Sequence, residues 1–398
     1  MPASILAAEH PSLLQSAVDL TAHLGTARGR LVPMANTTYG QHVDFGERVW
    51  SLHVYLQGAL ALLDHDLYLP ALVTIRSALE HHVQDHLLFL GNRYKAIVRD
   101  VTDETLAEWQ QAIADGREDF HGILEARRVD ADRVQVVRSG PHFTGQGRGL
   151  DAPGLSIYYS IILDRHDPFT GGKNAQPFIG QWPRSQDARH RRAAQAADTW
   201  WRFLRWNQLM DNLRLNEFFT DRELARFDVH YSFLSAFTHP SVGALKAVAG
   251  RNSPATLRYD HYVSELILLY LITIARLELG VFEEMTRRDP VVNLAGWDEV
   301  RADTERGDAR AAHLWFPRGS PHPFDRVQEA NRRGQGADGR LLTVEERPKP
   351  QDLADDDILY YANPLRRLIN LHTGQNEMTG FPYNSPWQRP DAMLRGMD

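Results

Sequence analysis

The run "LILLYLITIA", Leu266 to Ala275, constrains this chain more than any other stretch. Glu265 and Arg276 bound it, and it has about half the length a bilayer-spanning helix needs. A segment that is apolar on every side offers water no face, so it must lie inside and be covered by other elements. It sits within a helical pattern over residues 255–286. A second run, "ERVWSLHVYLQGALALLD" from Glu47 to Asp64, is also apolar almost all round. Two interior helices need several covering ones. Apolar periodicity predicts them in "ALVTIRSALEHHVQDHLLFL" (Ala71 to Leu90), in a stretch resuming at Asp187 through "DTWWRFLRWNQLMDNLRLNEFF", and over 221–239. The expectation is an all-α helical bundle of about five to seven helices, with a loop-rich insertion and an irregular C-terminal extension.

Punctuation sets the boundaries. Pro70 follows the linker "DHDLYLP" and suits a helix start, because its missing N–H would be unsatisfied there anyway. Gly91-Asn92 suits a helix end. Residues 93–130 are charged and helical in pattern. Gly, Pro and Asp then crowd the stretch from Gly140 to Pro183, around "LSIYYSIIL", which period alone leaves open between a strand and a buried helical turn. Pro240 stops the helix at 221–239. Beyond Pro290 the chain loosens, with one helix expected near Asp355 to His372. The organisation expected is a lead-in at 1–45, a bundle at 46–290 carrying an insertion at about 136–183, and an extension at 291–398.

Composition narrows the chemistry. The 398 residues include no cysteine, which excludes disulfides, thiolate metal sites and cysteine nucleophiles. The net charge of −7 argues against coating nucleic acid by bulk charge, while a local basic groove stays open. The start, "MPASILAAEHPSLLQ", has no basic region before its apolar residues, so no secretory signal, no membrane association and a cytoplasmic protein are expected. No glycine-rich phosphate loop follows a strand, and there is no Gly-x-Ser-x-Gly elbow.

The Ala71–Leu90 helix carries the first polar cluster. Turning about 100° per residue, Leu72, Ile75, Leu79, Val83, Leu87 and Leu90 define its apolar face. Arg76 falls inside that face, and Glu80 sits one turn on, on its flank. An arginine there must find a carboxylate or carbonyls, because a buried unpaired charge is very costly. It either pairs with Glu80 to fix helix register or is aimed into a cleft to hold an anion. His81 points elsewhere, roughly 140° from Arg76. Both serve one cleft only if that cleft wraps the helix, as a dimer interface does. The second cluster lies in "FDVHYSFLSAFTHPSVGAL". Leu224, Phe227, Tyr231 and Leu234 share a face, with Asp228, Ser235, Thr238 and His239 on or beside it. His239 closes the last turn, where helix carbonyls favour its charged form. It is either a capping residue or a general acid or base facing Arg76 and Glu80.

"DLYLPALVTIRSALEHHVQDHLLFLG" and "YSFLSAFTHPSVGAL" together resemble a bacterial branch of the HEPN superfamily (higher eukaryotes and prokaryotes nucleotide-binding), over residues 47–92 and 190–285. The resemblance implies a helical bundle, usually dimeric. It also implies metal-independent RNA cleavage by an Arg-x(4–6)-His motif in toxin–antitoxin or antiphage systems. Arg76 to His81 fits that spacing. On this reading Arg76, Glu80, His81 and His239 are the catalytic set, and Tyr231, Ser235, Ser241 and Asp228 bind substrate. The expected partners are RNA or a nucleotide, a cognate antitoxin or partner protein, and a second copy of the chain, with no cofactor. Two alternatives stay open. One is a non-catalytic nucleotide- or protein-binding helical module. The other is a helical-bundle metal-dependent oxidase with His82, His86, His261 and Glu265 as ligands, since His82/His86 and His261/Glu265 are each one helical turn apart.

Overall fold

The computed structural model describes residues 10–31, 40–91, 93–98, 111, 133–138, 206–238, 257–288, 294–316, 321, 323–335, 340, 342–343, 345–358, 363–365 and 367–368. The chain divides into two compact units. The first takes residues 1–35, 43–82 and 220–398; the second takes 36–42 and 83–219. Eight α-helices and one two-stranded ribbon occur among the described residues, and the protein is an all-α helical bundle.

The first unit is built on α6, Leu257–Arg288. From Leu266 through Ile272 every α6 side chain is at most 1% exposed. A helix buried on all sides needs cover on all sides, and its neighbours supply it. α1 (Pro11–Leu31) and α7 (Trp297–Ala311) pack along it. α2 (Gly40–Asp64) meets it where Phe45 stacks on Phe282, with ring centroids 5.9 Å apart. Trp297 stacks on the same Phe282 at 5.0 Å. α3 (Tyr68–Asp85) joins α6 through His82, whose Nδ1 lies 2.8 Å from Glu278 Oε2, both side chains being fully buried. α5 (Asp221–Thr238) joins it through His230, whose Nδ1 lies 2.7 Å from the Tyr270 hydroxyl.

The region expected to loosen beyond Pro290 instead holds two helices, α7 and α8 (Pro323–Arg333). Their apolar signal is thin, so periodicity misses them. α7 buries Trp297, Val300, Asp303, Gly307 and Ala311, a stripe completed by a glycine and an aspartate. A side chain at Gly307 would meet Leu20 and Ile272, which is why the stripe narrows there. The helix expected near 355–372 is replaced in its first part by a short 3₁₀ turn, Asp355–Asp357. Ion pairs fix this segment beside an apolar cluster of Trp315, Ala330, Leu353 and Ile358. Arg367 grips buried Asp325 with two bonds of 2.9 and 2.6 Å, and Arg326 binds both Asp355 and the Leu353 carbonyl.

In the second unit α3 ends as a π-helical turn, His86–Leu90, closed by the Gly91 N–H donating to the Leu87 carbonyl at 3.0 Å. Residues 93–130 do not begin as the expected helix. β1 (Arg93–Val98) pairs antiparallel with β2 (Arg133–Arg138), with Arg93 opposite Arg138 and Val98 opposite Arg133. The β-branched and aromatic residues of "RYKAIV" and "RVQVVR" account for the ribbon, but six residues are too few for period to declare it. α4 (Trp206–Leu215) packs on β1 and on the π turn. The "LSIYYSIIL" segment and nearly all of the expected insertion lie outside the described residues. Among those described, no helix is long and apolar enough to cross a membrane.

The α1–α2 seam is close. His53 Nδ1 donates to the Thr21 carbonyl at 2.7 Å, and a Cβ at Gly25 would stand 2.9 Å from the His53 ring. That ring is tethered and cannot swing aside. Gly25→Ala is therefore expected to destabilise the protein by about 1–3 kcal/mol, through overpacking and loss of the buried bond. Urea unfolding followed by circular dichroism checks this, and an unchanged midpoint contradicts it.

Candidate functional site

Arg76 leaves the apolar face of α3 and meets α5 in the first unit. Its Nε donates to Ser235 Oγ at 3.1 Å, and its Nη2 donates to the Tyr231 hydroxyl at 2.5 Å. The guanidinium carbon lies 4.8 Å from the centroid of the Tyr231 ring, within cation–π range. Tyr231 and Ser235 are four residues apart on α5, so one helical face presents both hydroxyls to one arginine. Ser235 is itself tied to the helix end, since its carbonyl accepts from Thr238 Oγ1 at 2.7 Å.

Glu80, one turn along α3, lies 3.4 Å from Arg76 Nη2. That is longer than a normal charged hydrogen bond, so the pair is a loose ion pair. Both side chains keep about a quarter of their surface exposed (25% and 26%), so the pair is neither sealed nor fully solvated. Burial pushes the Glu80 carboxyl above its ordinary range, and Arg76 only partly opposes that. Among the described residues Arg76 Nη1 makes no hydrogen bond. Among the described residues the fork is hydrogen-bonded at one edge only.

His81 stands apart from this group, as the helical geometry requires. Its Nε2 donates to the Arg48 carbonyl at 3.0 Å, while Arg48 Nη2 reaches back to the His81 carbonyl at 3.4 Å. The ring also meets the edge of Tyr55, at 6.0 Å between centroids. These contacts bind α3 to α2. Asp228 is exposed on α5, three residues before Tyr231. His239 and Ser241 lie outside the described residues. Of the eight residues expected in the site, the structure brings together Arg76, Glu80, Tyr231 and Ser235.

The alternative metal ligands are dispersed into other work. His82 faces Glu278. His86, in the second unit, lies between Phe218 and Phe219, at 5.0 and 5.1 Å. Glu265 is buried on α6, and the side chain of His261 is outside the described residues. Among the described residues no group of three or more His, Asp or Glu could hold a metal ion.

The reading of the sequence missed the other face of α5. His230 is fully buried between Tyr270 and Phe316, with ring centroids 5.4 and 4.2 Å away. Burial, with Arg367 and Arg226 nearby, holds its imidazole well below the usual range. Arg226 lies with its guanidinium 4.3 Å over the Trp315 ring. The available signal was Arg226 and His230 at a one-turn spacing beside Phe233 and Phe237 on an otherwise apolar face.

Fold and site together define an all-α bundle with an arginine-centred polar patch on one of its helix pairs. No family model, curated protein or solved structure matches the chain.

The raised carboxyl of Glu80 has a consequence for stability. A carboxyl whose pKa is higher folded than unfolded binds its proton more tightly in the folded state. The stabilisation it gives is full below the unfolded value and is lost as pH rises through the folded one. Relative to wild type, Glu80→Gln is therefore expected to gain stability as pH is raised from about 4 to about 7. Urea midpoints of both proteins across that range measure it. A constant difference shows that Glu80 titrates alike folded and unfolded.

Proposed function

We propose that this chain is a helical protein that holds a phosphate-bearing ligand, a nucleotide or an RNA strand, on Arg76. The observation that supports this is the state of the arginine. Two hydroxyls fix its Nε and Nη2, and the Nη1 edge has no hydrogen-bonding partner among the described residues. A guanidinium fork suits phosphate oxygens in geometry and charge, and one already ordered loses less freedom when the ligand arrives. The resemblance to HEPN proteins points to the same class of ligand.

Glu80 favours a second reading, a metal-independent endoribonuclease. A carboxyl held above its ordinary range beside a phosphate-binding arginine suits a general base. It would take the proton of a ribose 2′-hydroxyl as that oxygen attacks phosphorus, while Arg76 carries the charge that develops on the phosphate. In this reading Glu80 takes the part that the motif spacing would give to His81, whose ring nitrogen is engaged by Arg48.

Binding of fluorescent ATP and of labelled single-stranded RNA, read by anisotropy, tests the first reading. Arg76→Ala is expected to weaken binding by about 10- to 100-fold, from loss of a charged hydrogen-bonding group. Equal affinity of wild type and Arg76→Ala for both ligands overturns it. Incubating the RNA with excess EDTA tests the second. Cleavage that persists in wild type and stops in Arg76→Ala and Glu80→Gln supports the nuclease, and RNA left intact by wild type removes it.

A further inference from the structure

The Arg76 patch contains a contradiction for any anion that enters it. The guanidinium attracts, but the Glu80 carboxylate stands 3.4 Å from Arg76 Nη2 and repels. An oxyanion on the open edge of the fork would sit within a few ångströms of that carboxylate, where like charges are costly. Tyr231 and Ser235 are neutral and add no compensating charge. One change removes the conflict without moving the backbone: a proton on Glu80. It cancels the repulsion and frees Arg76 from its counter-ion at once. The protonated carboxyl also becomes a donor that an oxyanion can use.

We propose that Glu80 makes this site proton-coupled, so that an oxyanion binds Arg76 together with one proton taken up by the Glu80 carboxyl. The proposal rests on the reading of Arg76 as an anion site and adds how that site is controlled; it stands against the nuclease reading, because a Glu80 carboxyl protonated in the bound state is not a general base. The looseness of the Arg76–Glu80 pair supports it. At 3.4 Å the ion pair is poorly formed, whereas Arg76 is anchored to Ser235 at 3.1 Å and to Tyr231 at 2.5 Å. The arginine therefore keeps its place when Glu80 turns neutral. Burial already favours the neutral carboxyl. Among the described residues the groups that face Glu80 are few. Arg76, from its own helix, is the charge that acts on it, and the Tyr231 phenol and Ser235 hydroxyl of α5 are engaged by that arginine. Arg48 of α2 and His81 of α3 are engaged with each other's backbone carbonyls.

The same linkage sets a direction for ligands. A dianion gains more from the proton than a monoanion does, so the site discriminates in favour of terminal phosphate or sulfate groups at lower pH. Phosphodiesters, which carry a single charge, are affected less.

Sulfate is the probe, because it stays a dianion over the whole range, whereas inorganic phosphate changes its own charge. Calorimetric titration of the full chain with sulfate is run from about pH 5 to about pH 7.5, in two buffers of different ionisation enthalpy at each pH. For wild type the affinity is expected to fall by about tenfold or more across the range, with uptake approaching one proton per sulfate at the upper end. Glu80→Gln, which keeps the shape of the neutral carboxyl, is expected to bind with little pH dependence and without proton uptake. At the upper end it should bind more tightly than wild type. Arg76→Ala is expected not to bind.

Sulfate binding by wild type that needs Arg76 but shows flat affinity and no proton uptake overturns the coupling and leaves the anion site standing. A pH dependence in Glu80→Gln equal to that of wild type also overturns it, since the proton then lies elsewhere. Absence of sulfate binding at every pH, in wild type and Glu80→Gln alike, overturns the anion site and the coupling with it. If Glu80→Gln fails to fold, the proton count on wild type still decides.

Discussion

The burial of α6 is the constraint from which the rest of the first unit follows. Each of its fully covered leucine and isoleucine side chains contributes about 1.5–3 kcal/mol, but only if neighbours close over it. Dispersion and area are not directional, so they do not specify where each covering helix sits. The directional part is polar. Glu278 receives His82 from α3, and Tyr270 meets His230 from α5. Such groups are expensive to bury unless paired, so each pair has one acceptable register. Two of the polar groups on α6, Glu278 and Tyr270, meet the helices that carry the candidate site.

α5 is where core and site are joined. One face carries Arg226 and His230, which lie against Trp315, Tyr270 and Phe316. The adjoining face carries Tyr231 and Ser235, which hold Arg76. Trp315 takes a left-handed backbone conformation (φ 53°), an unfavourable state for a bulky residue. Close packing around the ring and the Arg226 guanidinium over it offset that strain. A helix clamped on one face presents its other face rigidly. The two hydroxyls therefore do more than accept hydrogen bonds: they hold the Arg76 side chain in one place.

Sequence reasoning reached the parts of this structure that depend on regular helical geometry. The apolar run of α6, the one-turn spacing of Arg76 and Glu80, and the matching spacing of Tyr231 and Ser235 are all read from about 100° per residue. The same arithmetic separates His81 from Arg76. What was illegible depends on partners distant in sequence. α7 looks like a charged loop because its buried stripe includes Asp303 and Gly307, and these make sense only beside His23, Leu20 and Ile272. β1 reads as charged helix because a six-residue strand needs its partner, about forty residues on, to be recognised. His230 was passed over because a histidine on an apolar face declares itself only once Tyr270 and Phe316 surround it.

The other arginines of the first unit sharpen what is particular about Arg76. Arg367 is neutralised by a buried carboxylate in a two-bond grip on Asp325. Arg332 and Arg333 share Glu329, whose carboxyl they pull down to about 2. In both cases a carboxylate in direct contact supplies position and charge together, Arg333 adding a bond to the Asp357 carbonyl. At Arg76 the two tasks are divided. Position is fixed by neutral hydroxyls, and charge is met only by a loose contact with a carboxyl that burial drives toward its uncharged form. The proposed anion site draws on that division, since there the arginine stays in place while its counter-charge changes.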